Sequence, residues 1–182
     1  MTQPTVNLTQ SNIFTALRSF LLAVLPTGIE VIRAQTNRVP EPKGPDFVIM
    51  TPIMMPRLET NTVTYTDNYP LGASIRNDME PIKVTIQLDV HGPNSANNTQ
   101  LITTYFRSSF GCDQFATSGF DIAPLYNETP KQIAFKNGEQ QIEERWIVDC
   151  VMQANPVGTV PQQFASTLKV GVISVDEKYP PA

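Results

Sequence analysis

Ten residues near the middle of the chain constrain its fold more than any others. Ile82, Val84, Ile86, Leu88 and Val90 alternate with Lys83, Thr85, Gln87, Asp89 and His91. Period-two alternation places the first set on one face of a strand and the second set on the other. Such a strand needs neighbours for its backbone and an apolar layer over its inner face. An all-helical fold is therefore excluded. The 16 prolines exclude a long helix bundle on separate grounds, because an interior proline removes a helix hydrogen bond.

Other segments supply the neighbours and the layer. Ile29 to Ala34 reads as a short strand, and Phe47-Val48-Ile49-Met50 as a strongly apolar one. Gln141 to Gln153 is a long strand with Trp146, Val148, Cys150 and Met152 on one face. Leu168 to Val175 is a final strand, and Asn137-Gly138 signals a hairpin turn. Thr60 to Thr66 has strand propensity but little to bury, which predicts an edge strand or a projecting arm. Ile13, Leu17, Phe20, Leu21 and Val24 recur at helical spacing after a cap at Ser11 or Asn12. A second helix follows Asn94 or Ser95, with Leu101, Ile102, Tyr105, Phe106 and Phe110 inward and Gly111 closing it. Residues 112–130 read as irregular apart from a turn of helix at Asp113–Ala116, and Pro156 and Pro161 bracket a loop. The expected fold is α+β: a mainly antiparallel sheet from residues 46–53, 81–91, 141–153 and 167–175, two principal helices on one face, and long loops. Its expected organisation is a flexible N-terminal segment over 1–11, a single domain over 12–176, and a tail over 177–182.

Charge narrows the function. The net charge is −4, the charged share is 16%, and no basic cluster exists, so a grip on phosphate backbones is disfavoured. Amides and hydroxyls fill the gap, with 12 Asn, 12 Gln and 19 Thr. A surface of that kind suits packing against other protein. The apolar stretch Ile13–Leu25 is too short to span a bilayer, and no basic residue precedes it as in a signal peptide.

No constellation for catalysis stands out. A histidine relay or zinc site needs several convergent groups, and the chain has one histidine, His91, expected at the surface or on a satisfied rim. Cys112 and Cys150 are far apart in sequence and read as two reduced thiols. Glu143 and Glu144 are neighbours on a strand and are expected to face opposite ways. Met50, Met54, Met55 and Pro56 fit either an adaptable contact surface or core filling. Trp146, Phe135, Phe106 and Phe110 are most simply core. No enzyme activity, metal or cofactor is expected; the residue chemistry points to a structural or interaction protein.

Several stretches resemble a known family. They are Ile13-Phe14-Thr15-Ala16-Leu17-Arg18 with Leu25-Pro26, and Asn37-Arg38-Val39-Pro40-Glu41-Pro42-Lys43-Gly44-Pro45-Asp46-Phe47-Val48 with Met50-Thr51-Pro52. Glu144-Arg145-Trp146, Gln153-Ala154-Asn155-Pro156-Val157 and Val160-Pro161-Gln162-Gln163-Phe164 complete the set. Together they resemble the phage neck terminator family of tailed phages and prophages, over about residues 12–176; nothing is carried over to 54–80 or 112–130. The resemblance implies a structural virion protein of the neck, made in the bacterial host cytoplasm. It implies a ring, usually hexameric, that caps the tail tube and meets a head-side connector or adaptor. Sheath or tail-completion proteins are further candidate partners, and genome DNA passes through the lumen without specific binding. A connector one layer nearer the portal, or a monomeric ligand-binding module, are the alternatives. No membrane is implied.

Two regions are expected to carry the oligomer contacts. The stiff proline loop offers Arg38, Pro40, Glu41, Pro42 and Lys43; the long polar segment offers Met55, Arg57, Thr64 and Tyr65. Thr85, Gln87 and Asp89, opposite the core face of their strand, are the candidates for lining the lumen.

Overall fold

The alternating segment becomes the central strand of a sheet, as its pattern requires. The computed structural model of the chain describes residues 3–37, 42–67, 74–136, 142–165 and 169–171. In chain order its elements are β1 (Thr5–Val6), α1 (Gln10–Val24), β2 (Glu30–Arg33), β3 (Phe47–Met54), β4 (Thr62–Thr66), β5 (Ile75–Met79) and β6 (Ile82–His91). There follow α2 (Ser95–Phe106), α3 (Ser109–Thr117), β7 (Ile122–Asn127), β8 (Lys131–Gln132), β9 (Phe135–Lys136), β10 (Ile142–Glu143), β11 (Arg145–Ala154) and β12 (Val157–Pro161).

The larger sheet runs β2-β3-β6-β11-β7, with β8 alongside β11. Only the β2–β3 pair is parallel. The fold is the expected α+β, with three helices where two were expected. Val48 and Met50 of β3, Val84, Ile86, Leu88 and Val90 of β6, and Val148, Cys150 and Met152 of β11 point to one side and are buried. The register makes them one layer: Leu88 lies opposite both Met50 and Val148, and Ile86 opposite Cys150. Ile13, Leu17, Phe20 and Leu21 of α1, Ile102 and Phe106 of α2, and Phe115 of α3 close over it. Phe20, Phe106 and Phe115 meet with ring centroids 5.5, 5.7 and 5.8 Å apart, so each helix contributes one ring to a single aromatic knot. Burying side chains of this size contributes about 1.5–3 kcal/mol each.

Local chemistry sets the helix ends and corrects the expected ones. The cap of α1 is Thr9: its hydroxyl accepts from the Asn12 amide at 3.4 Å, while Asn12 Oδ1 accepts from the Thr9 amide at 2.8 Å. Asn12 is thus the third-turn-position partner of a capping box rather than the cap. Pro26 disfavours helical geometry at Leu25, which is extended. The segment before α1, expected to be flexible, is tied down from Thr5 by pairing of β1 with β12 and by burial of Leu8.

The expected second helix is two helices. Ser108 ends the run after α2 by capping α3, accepting from the Gly111 amide at 3.3 Å. Gly111 lies inside α3, not at a helix end. A Cβ there would come within 2.4 Å of the Tyr105 and Phe106 carbonyl oxygens, so glycine is what lets the two helices turn so tightly. The break also redirects the stripe: Tyr105 and Phe110 are exposed, and Ser95, Asn98 and Thr99 are buried in place of Leu101. Residues 112–130 are not irregular but hold most of α3 and β7. Pro124 hides β7 from pattern reading; it is tolerated because β7 is an outer strand with a register shift opposite Val151 and Met152.

A second sheet, β1-β12-β5-β4, is antiparallel throughout. The Thr60–Thr66 expectation is met by β4, an exposed edge strand. The loop expected between Pro156 and Pro161 is instead β12. Two short joints connect the sheets. β5 passes into β6 through Glu80-Pro81, β11 passes into β12 through Asn155-Pro156, and the Glu80 amide donates to the Pro156 carbonyl at 3.0 Å. Of the final strand expected over 167–175, Lys169–Gly171 lie in no strand and the other residues fall outside the described ones. The Asn137-Gly138 turn also falls outside them, but its flanks pair as β9 and β10.

Candidate assembly surfaces

The second sheet is the more unusual surface. A Thr-Val-Thr-Tyr-Thr strand has too little apolar area to bury itself, and no side chain of β1, β4, β5 or β12 is buried. This sheet, the arm, is therefore only partly covered: β4 is exposed throughout, while β5 and most of β12 are half-buried. One face carries a row of Thr5, Thr159, Asn77 and Thr64, with the Thr159 hydroxyl donating to Asn77 Oδ1 at 2.9 Å. Beside it lie Val157, Met79 and Thr62, forming with Asn7 a shallow depression of about 330 Å³ with no charged side chain in its lining. The opposite face carries Val63, Tyr65, Arg76 and Asp78. Arg76 bonds Asp78 at 2.7 Å, and that hydrogen bond raises the guanidinium pKa further. The Tyr65 ring meets Phe164 edge-on at 5.9 Å. Ile53, Met54, Met55 and Leu58 are exposed at the root of the arm, while Met50 is core. Core filling thus holds for Met50, while Met54 and Met55 are exposed.

The second surface is an open groove of about 830 Å³ between the loop at Pro42, Gly44 and Pro45 and the β9–β10 pair. Ile32, Phe47, Ile49, Phe135 and Ile142 give it apolar walls, and Glu143 and Glu144 both border it. The two glutamates, expected as neighbours on one strand, are not both on one: β10 ends at Glu143 and Glu144 lies in the link to β11. His91 is not a surface residue; it is 5% exposed, stacked on Phe47 at 4.6 Å and edge-on to Phe135 at 5.5 Å. Burial lowers its pKa, and the nearby Arg145 charge lowers it further. Its Nδ1 has no hydrogen-bond partner among the described residues. Phe135, expected in the core, is half in this groove, and Trp146 packs against the core from its rim.

The third surface is the face of the large sheet that carries no helix. Thr85, Gln87 and Asp89 lie on it. Asp89 is only 6% exposed and accepts from Arg145 Nε at 3.0 Å, so its charge is matched within the chain. Thr85 is also covered, and Gln87 Nε2 donates to Asp149 Oδ1 at 3.3 Å.

Of the expected contact residues, Arg38, Pro40 and Glu41 lie outside the described ones. Pro42 borders the groove, and the Lys43 amide donates to Glu30 Oε1 at 3.0 Å. Met55 is exposed beside the arm, and Arg57 pairs with Glu80 at 2.8 Å across an exposed rim. Thr64 and Tyr65 sit on β4, one on each face of the arm. These residues do not form one cluster: Thr64 and Tyr65 lie on opposite faces of the arm, Met55 lies beside it, and the proline loop contributes to a separate groove. Sequence reading did not find Phe135 and Ile142 as groove walls; the apolar residues flanking Asn137-Gly138 were the available signal.

Among the described residues no three His, Cys, Asp or Glu side chains converge as metal ligands. Cys112 is exposed and free; Cys150 is free and buried, and burial pushes its thiol pKa far up. Among the described residues, the exposed edge strand β4 and the apolar groove are the surfaces set out above. Residues 11–178 match the family model described as Phage neck terminator protein, and the chain belongs to that family of structural phage neck proteins. No individually curated protein matches it.

Proposed function

We propose that the chain is a tail terminator: a ring, of six copies, that caps the tail tube in the virion neck and receives the head-side connector. One observation carries the reading beyond family membership. A four-stranded sheet with no buried side chain gains little stability alone and becomes useful when other chains cover it. Tail tube protein below, connector above and neighbouring copies beside it are the proposed partners. The proline loop around Pro42 and Lys43 and the segment from Met55 to Tyr65 are the proposed contact regions. The helix-free face around Gln87 is the proposed lumen side, where the Asp89–Arg145 pair leaves little net charge to hold DNA.

Native mass spectrometry of the purified chain tests this reading. A closed ring of copies is the expected result, and a single-copy mass at every concentration into the micromolar range would overturn it. A gel-shift assay with duplex DNA at about 50 mM salt tests the lumen, because counterion release favours binding at low salt. No retention is expected; micromolar retention that fades as salt rises would indicate a DNA-contacting connector instead.

A further inference from the structure

The first turn of α2 carries hydrogen-bond donors that the chain itself leaves unused. Asn94, at the cap position of this helix, makes no side-chain cap bond. Its backbone amide donates to Asp46 Oδ1 and its side-chain amide to Asp46 Oδ2, each at 2.9 Å. A helix start without a side-chain cap keeps amide hydrogens for another acceptor. One turn on, Asn98 is 2% exposed, and its buried Nδ2 has no hydrogen-bond partner among the described residues. A buried donor left unpaired costs stability, so it calls for an acceptor.

Asn98 also lines a hollow of about 440 Å³. Among the described residues Asn97 stands beside it, and Pro26, Ile29, Pro45 and Leu101 give apolar walls. The Asn98 carboxamide turns on a soft last torsion, so its donor can face this space. The hollow therefore suits a group that accepts hydrogen bonds and sits among apolar side chains. Helix starts usually attract anions. Here the Asp46 carboxylate borders the same space and opposes a second negative charge. An uncharged acceptor fits instead: the carbonyl of a peptide bond, or of an Asn or Gln side chain. Copies of this chain are rich in such groups, with 12 Asn, 12 Gln and a charged share of only 16%. The hollow is also continuous with the proposed contact loop, whose Gly44 and Pro45 form part of its rim.

We infer that the hollow at the start of α2 receives an uncharged loop of a second copy, which sets a carbonyl oxygen against Asn98 and the first-turn amides. The inference rests on the ring reading and names a contact within it. In the single copy the Asn98 donor is a cost; in the ring it is paired, so this residue trades stability for assembly.

Two substitutions test the contact. Each is read by urea unfolding of the dilute, single-copy chain and by native mass spectrometry over a range of concentrations. Asn98→Leu is close in size and removes the unpaired donor. Its unfolding midpoint should equal or exceed the parent's, while the concentration at which the ring falls apart should rise about tenfold, the scale of one lost hydrogen bond. Thr27→Trp fills the hollow from an exposed position on its rim and should weaken the ring with the midpoint unchanged. It decides the matter if Asn98→Leu fails to fold. A lower midpoint for a folded Asn98→Leu chain would show that the amide is satisfied inside the copy, for example by a buried water, and would overturn the inference. A ring as tight as the parent's from either variant would also overturn it. A Thr27→Trp deficit that disappears as salt rises would mean a charged occupant and overturn the uncharged one. If the parent and both variants form equal rings, this contact falls and the ring reading stands. If the parent chain is single-copy throughout, the ring reading falls and takes the inference with it.

Discussion

The two sheets of this protein share strand chemistry and one pair of chain segments, yet differ in what holds them. In the large sheet, β6 hides Val84, Ile86, Leu88 and Val90 under three helices. In the arm, no side chain is fully buried: β4 is exposed, and β5 and β12 are at most half-covered. The large sheet is stabilised by area removed from water; the arm is held by its backbone ladder and by the strands that feed it. The contrast suggests a division to test: stability from the helix-covered layer, and the proposed assembly contacts from the arm.

Substitutions can break or sharpen this division. The largest expected effect is at the aromatic knot, where Phe20→Ala should cost about 3–5 kcal/mol in urea unfolding. A loss no greater than that of an arm variant would dissolve the contrast. Asp89→Ala should come next, at about 2 kcal/mol, because it strands the partly covered Arg145 charge on the helix-free face. Its retention of full stability would show that the pair is merely a surface contact. Thr9→Ala removes the hydroxyl of the α1 capping box and should cost about 1 kcal/mol, read as a lower thermal midpoint.

A smaller effect concerns pH. The folded-state pKa of His91 is lowered below the ordinary 6.5, so below that pH the unfolded chain binds this proton more readily than the folded one. Stability should therefore fall as pH drops through and below 6.5, and His91→Phe should fall less steeply over that window; parallel curves would remove His91 from the account. The smallest stability effect is expected at the arm, where Tyr65→Ala should stay within about 0.5 kcal/mol of the parent in urea. The same variant should weaken the ring in native mass spectrometry, so a stable chain with an intact ring would count against the arm as the assembly surface.

The large sheet was legible in the sequence because burial on one face writes alternation into β6 and β11, and burial of a helix stripe writes Ile13, Leu17, Phe20 and Leu21 at helical spacing. The arm was half legible. β4 was readable from its threonines, but Ile75–Met79 and Val157–Pro161 are covered to a similar, partial degree residue after residue, and a strand without alternating burial leaves no period to read. The division of α2 from α3 was missed for a different reason: Gly111 was read as a stop, when the close approach of the Tyr105 and Phe106 carbonyls needs it inside the next helix. Among candidate site residues, chemistry pointed to the Thr-rich arm but not to the groove, whose walls come from β2, β3, β9 and β10, far apart in sequence.

The two joints at Glu80-Pro81 and Asn155-Pro156 have a mechanical meaning. They make the arm a direct continuation of β6 and β11, which are paired over ten residues from Ile82 opposite Ala154 to His91 opposite Arg145. Because both joints lie at the same end of that ladder, a pull on the arm draws β6 and β11 together and passes the load outward to their pairings with β3 and β7. With each joint only two residues long, little slack is available to absorb the pull. Under the proposed assembly role, load on the arm reaches the helix-covered layer through these two strands.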